Sequence, residues 1–155
     1  MPSPEPEITD PSNPDYIFQA IRERIYNHGL ITTELIVVIA HFLAARHNLL
    51  LTLEDVSGII VRLQESRPKL RIHEIAMRRV PHGYYSEDVE AFFGRLIGGG
   101  YADSEKGGIK LNDKGLKIFQ EITGEFFSDE PIVFIELARS IWQVMYPVLF
   151  KAPII

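Results

Sequence analysis

The run SEDVEAFFGRLIGGGYADSEKGGIKLNDKGLKIF, from Ser86 to Phe119, puts a helix, a stop, two short strands and another helix into one short span. Ser86 can cap the first helix, whose inward face is expected to hold Val89, Phe92, Phe93, Leu96 and Ile97. Gly98-Gly99-Gly100 then ends it. Tyr101-Ala102-Asp103 and Ile109-Lys110-Leu111 are too short to stand alone, but they can pair around residues 104–108, where Gly107 and Gly108 tolerate positive φ. Asn112 caps a second helix that buries Leu116, Ile118, Phe119 and Ile122. A hairpin this small needs helices packed against it, which leaves few folds open.

Flanking segments supply those helices. Thr32 or Thr33 caps one in which Leu35, Ile36, Val37, Val38, Ile39, Phe42, Leu43 and Leu50 cover nearly the whole circumference, so it is expected at the centre. Thr52, Glu54 and Asp55 start another through Val56, Ile59, Ile60 and Leu63, halting before Pro68. A short helix is expected from about Lys69 to Arg79. Residues 1–13 are rich in proline, acids and small polar groups and read as a mobile tail. Asn13 and Pro14 open an amphipathic helix carrying Ile17, Phe18, Ile21 and Ile25 as far as Gly29. Ser128 or Asp129 is expected to cap the last helix. The chain therefore divides into a tail (1–13), one domain with its leading helices (14–127) and a carboxyl-terminal helix (128–155) that closes the core or dimerises.

Two motifs carry a family likeness. AFFGRLIGGGYADSEKGGIKLNDKGLKIF resembles the winged-helix regulators of the MarR and PadR families, in which an apolar helix, a strand, a turn, a strand and an "LT..G" signature follow in this order. Leu96, Gly100, Leu111 and Gly115 hold the matching places, with Asn112 where threonine is common. HGYYSEDVEAFFGRLIGGGY is similar to another winged-helix group, in which a "YGPYS" turn precedes the helix. The resemblance covers about Leu70 to Ile122, roughly a third of the chain. It implies a mainly α fold, a winged helix-turn-helix with a short β-hairpin wing and long flanking helices. It also implies a transcriptional regulator that binds duplex DNA as a homodimer, with the helix before the wing in the major groove.

The charges of that helix depart from the pattern. Its outer face carries Glu87, Asp88 and Glu90 against Arg95 alone, three acids and one base, which phosphates would repel. The acids also suit the first turn of any helix, where they complement the dipole. Whole-chain charge is -5, so anion binding requires a local patch. Arg62, Arg67, Lys69, Arg71, Arg78 and Arg79 supply one, interrupted only by Glu65 and Glu74. On the expected helix Arg71 and Arg78 are two turns apart on one face. The expected phosphate contacts are Arg67, Lys69, Arg71, Arg78, Arg79, Arg95, Lys106 and Lys110; a solvated basic face that pairs with acids of the same chain is the competing reading. The helix of residues 86–98 is then the candidate surface for a protein partner.

Other chemistries find little support. The histidines, at 28, 41, 47, 73 and 82, show no ligand spacing, and His41 among aliphatic residues reads as a hydrogen-bonded core residue. No GxSxG elbow or phosphate loop occurs, so neither an enzyme nor a cofactor is expected. Absence of cysteine excludes disulfides and thiolate metal sites and fits a reducing cytoplasm. The amino terminus has no basic and apolar signal pattern, and charged or polar residues interrupt both long apolar runs, so a cytoplasmic chain without a membrane partner is expected. In the last helix Val133, Leu137, Ile141, Val144 and Val148 form one apolar stripe, and Phe134, Ala138, Trp142, Met145 and Leu149 another. Together they exceed the arc that one core covers. A two-fold homodimer is expected through Ile141, Trp142, Met145, Tyr146 and Leu149; the alternative is that the first helix covers the second stripe.

Overall fold

The computed structural model describes residues 31–70, 72, 76–81 and 83–150, with side chains as far as Pro147. The expected tail, the helix opened by Pro14, Arg71, three of the histidines (28, 73 and 82) and the last five residues lie outside the described residues. Among the described residues the protein is mainly α, with five helices and short antiparallel strands.

Helix α1 (Thr33–Arg46) begins where the Thr32 hydroxyl accepts from Leu35 N at 3.2 Å. Leu35 through Ala40 are essentially inaccessible, because the other four helices all pack around α1. It ends earlier than expected. Asn48 takes a left-handed φ of 53° and Leu49 N donates back to Ala44 O at 2.9 Å, a helix stop that asparagine tolerates without glycine. Leu50 is thereby off the helix, and the next residues form β1 (Leu51–Thr52). Thr52 and Asp55 then cap α2 (Leu53–Ser66) reciprocally, each side chain accepting from the other's backbone N–H at 3.1 Å.

Arg78 and Arg79, expected at the end of a helix over residues 69–79, instead lie in a ribbon of β2 (Arg78–Val80) and β3 (Gly83–Tyr85). Val80 precedes Pro81 and is β-branched, and Tyr84-Tyr85 favour extended backbone; both oppose helix here. The register pairs Arg78 with Tyr85, Arg79 with Tyr84 and Val80 with Gly83.

Ser86 caps α3 (Glu87–Gly98), which buries Val89, Phe92, Phe93 and Leu96 but leaves Ile97, expected inside, 40% exposed. Gly100 at φ 79° and the bond from Tyr101 N to Leu96 O (2.9 Å) stop it. Strands β4 (Ala102–Glu105) and β5 (Gly108–Leu111) follow, joined by Lys106 and Gly107 at φ 47° and 81°, the two positive φ values of a type I′ turn. The strand order is β1-β5-β4, with Leu51 opposite Ile109 and Thr52 opposite Gly108. A Cβ at Gly108 would overlap Leu51 O, so this pairing requires glycine.

Asn112 caps α4 (Asp113–Asp129), accepting from Gly115 N at 2.9 Å while its Nδ2 donates to Gly100 O at 2.6 Å. Lys114 Nζ reaches Gly99 O at 3.1 Å, 4.4 Å above the Tyr101 ring. Start of α4 and end of α3 are thus stitched together. Ser128 and Asp129, expected as caps, lie inside α4; Glu130 alone joins it to α5 (Pro131–Phe150), which opens on Pro131. Leu137, Ile141 and Met145 of α5 complete the core. None of the described helices is long and apolar enough to cross a membrane.

Candidate nucleic-acid interface

Because residues 78–80 are a strand, the expected helical face shared by Arg71 and Arg78 does not form, and Arg71 lies outside the described residues. The ribbon divides its cations between two faces, since side chains alternate along each strand. On one face the Arg78 guanidinium sits 4.9 Å from the Tyr85 ring centroid. Tyr85 in turn donates from its hydroxyl to the Glu90 carboxylate in the first turn of α3. That hydrogen bond stabilises the protonated phenol and, with the nearby acids, raises the Tyr85 pKa above its ordinary value, against an opposing pull from Arg78. Arg78 is therefore engaged with an aromatic ring beside an acidic helix end. On the other face Arg79 is exposed opposite Tyr84.

The remaining candidates are spread over three elements. Arg67 and Lys69 are exposed in the turn after α2, beside a cleft of about 430 Å³ bounded by Ser66, Pro68 and Leu70. Lys106 is exposed at the hairpin tip, and Lys110, also exposed, lies opposite Asp103 on the hairpin. Arg95 is exposed in the last turn of α3. Among the described residues none of Arg67, Lys69, Arg79, Arg95, Lys106 and Lys110 is held in an ion pair. They remain available to an external anion. The exposed side of α3 is different: Glu87, Asp88 and Glu90 make its first turn acidic, Ala91, Gly94 and Gly98 line one strip with little side chain, and Arg95 and Ile97 project beside that strip.

Sequence reasoning missed the Tyr85–Glu90 bond because it depends on how β3 leads into the first turn of α3. His41 it placed in the core, and there it is: Nδ1 lies 2.9 Å from Val37 O, and the ring meets Phe93 and Phe119 edge-on at 5.4 and 6.2 Å. A carbonyl only accepts, so Nδ1 carries the proton and Nε2 is left as an acceptor without a protein partner. Burial, which penalises the cation, outweighs the Val37 bond and lowers the His41 pKa to about 4. The ring also lines a cavity of about 320 Å³ with Ala45, Leu49, Leu50, Ile109 and Leu116. No cluster of three metal-ligating side chains is found among the described residues.

Two of the residues expected at a dimer interface belong to the core. Ile141 and Met145 are fully buried within the chain, where α1, α2 and α4 cover α5, and offer no surface to a partner. Trp142 is half-buried and stacks on His47 at 4.8 Å. Tyr146 is 49% exposed, its ring 6.1 Å from that of Trp142. The side chain of Leu149 lies outside the described part. Comparison of the chain with family models, with curated proteins and with solved structures finds no match.

Proposed function

We propose that this chain is a winged-helix protein that binds duplex DNA as a cytoplasmic homodimer and regulates transcription without catalysis. One observation carries the reading: α1, β1, α2, α3, β4 and β5 follow one another in that order, and the strands pair as β1-β5-β4. Three helices closed by a small sheet of this connectivity are what a winged helix-turn-helix requires, with β4–β5 as the wing and α3 as the groove helix. The ribbon of β2 and β3 is an insertion between the paired helices.

Phosphate contacts fall to Arg67, Lys69, Arg79, Lys106 and Lys110, with Arg95 beside them and Arg71 and Arg78 as further candidates. Acids on α3 oppose deep entry, so affinity comes from the backbone and little base sequence is read. Five phosphate contacts per chain, ten per dimer, give a slope of log K against log salt of about -9. Fluorescence anisotropy with random-sequence duplex, titrated at two salt concentrations, tests this. Binding should weaken steeply with salt and lose about two units of slope for each cation replaced by alanine, since the change removes one contact from each subunit. No binding by the folded chain at low salt would refute it.

A second reading has its own support. The acidic, small-residue face of α3 suits close approach of another polypeptide more than a groove lined by phosphates, and it makes the chain a winged-helix module that binds a protein and no DNA. Capture of a partner that is lost with Gly94→Gln, in a chain showing no DNA binding, would favour it.

A further inference from the structure

Six large apolar side chains are exposed among the described residues, and five of them sit at the end of α4 and along α5: Phe127, Ile132, Val133, Ile135 and Tyr146. Ile132 is 72% exposed. An apolar surface concentrated in one place marks a contact site, whereas scattered residues need no explanation. On a helix of 3.6 residues per turn, Ile132, Ile135, Glu136, Arg139, Gln143 and Tyr146 share one side, and all six are exposed. Glu136 and Arg139 stand at the middle of this stripe, and neither is held in an ion pair among the described residues.

The stripe is complementary to itself read backwards. Ile132 and Tyr146 each lie seven residues from Arg139, about 10 Å along the axis on either side. Two such helices laid antiparallel, with a two-fold axis passing beside Arg139, bring Ile132 onto the partner's Tyr146 and Ile135 onto the methylenes of the partner's Gln143. The same register sets Arg139 beside the partner's Arg139 at the axis, with each Glu136 three residues, about 4.5 Å along the helix, from the partner's Arg139, so two pairs of opposite charge flank one like-charged contact. Parallel packing would add a second like-charged contact, Glu136 beside the partner's Glu136. We propose that this face of α5 is the homodimer interface and that its occupant is the same face of a second copy; the proposal rests on the homodimer suggested above and assigns it a surface. It moves the contact away from Ile141 and Met145, to the opposite side of the helix.

Sedimentation velocity of the full chain over a range of concentrations, at moderate salt, tests the assignment with two charge reversals. Glu136→Arg sets arginine against arginine across the axis, and Arg139→Glu sets glutamate against glutamate. Both positions are exposed, so neither change disturbs the fold of one chain. Each variant alone should dissociate at least about tenfold more readily than the wild type. An equimolar mixture of the two should recover the dimer, because every cross-axis pair is then opposite in sign. A dimer that withstands both reversals would overturn this face and leave the homodimer standing. A wild-type chain that is monomeric throughout would overturn both, and would give the stripe to a cover from the same chain, such as residues 14–29.

Discussion

Replacing His41 by leucine removes the one buried histidine among the described residues, and the structure gives the size and sign of the effect. In the folded chain the His41 pKa is about 4; in the unfolded chain it returns to 6.5. Above pH 6.5 both states carry the neutral ring and the histidine adds no pH dependence. Below it the unfolded chain binds a proton that the folded one refuses, so stability falls as pH drops, until the folded ring also protonates near pH 4. Each unit of separation is worth about 1.4 kcal/mol, which makes the full difference about 3 kcal/mol and the part expressed by pH 5 about 2 kcal/mol. Urea denaturation of wild type and His41→Leu at pH 7.5 and 5.0 isolates this contribution, because every other ionisable group is common to both proteins. The wild type should lose about 2 kcal/mol more than the variant between the two pH values. Parallel losses, or a His41 ring that titrates by NMR near 6.5 in the folded protein, would refute the buried neutral histidine.

Glycines in this chain should respond in opposite directions. Gly124 is exposed within α4 and an added Cβ would meet open space, so Gly124→Ala should raise stability by about 0.5–1 kcal/mol in the same denaturation experiment. Gly108→Ala should cost about 2 kcal/mol or more, since its Cβ collides with Leu51 O and must push β1 off β5; a cost below 0.5 kcal/mol would mean that β1 is not seated there. Thr52→Ala removes half of a reciprocal cap and should lower the midpoint of thermal unfolding by an amount equivalent to about 1 kcal/mol.

Local chemistry made much of the fold readable. Thr52 with Asp55, Ser86 with its acidic first turn, and Asn112 each announce a helix start, and each caps one. The hairpin was legible because Gly107 and Gly108 tolerate the positive φ that a tight turn needs, and Gly107 adopts it. What was not legible depends on contacts between distant parts. Lys69 to Arg79 has enough helix-forming residues to suggest a helix, and at its end only pairing with Gly83–Tyr85 makes Arg78–Val80 a strand. β1 has no periodicity to detect, for its two residues are extended because β5 lies beside them. In α5 nearly every position is apolar, so pattern alone could not say which stripe faces inward; α1, α2 and α4 settle it by burying Leu137, Ile141 and Met145. The cations were found as a charge run, but their distribution over a turn, a ribbon and a hairpin follows from the fold.

The stitching at Asn112 has a mechanical consequence. Three hydrogen bonds, from Asn112 N to Tyr101 O, from Asn112 Nδ2 to Gly100 O and from Lys114 Nζ to Gly99 O, bind the end of α3 to the start of α4, and a Cβ at Gly115 would overlap Tyr101 O. Elements joined so closely turn as one body, so α3, the hairpin and α4 have no joint between them. Among the described residues the joint next to α5 is Glu130, a single residue with φ -137° and ψ 66°. A tilt of α5 is therefore taken up at Glu130 or passed whole, along α4, to the helix and hairpin at its far end.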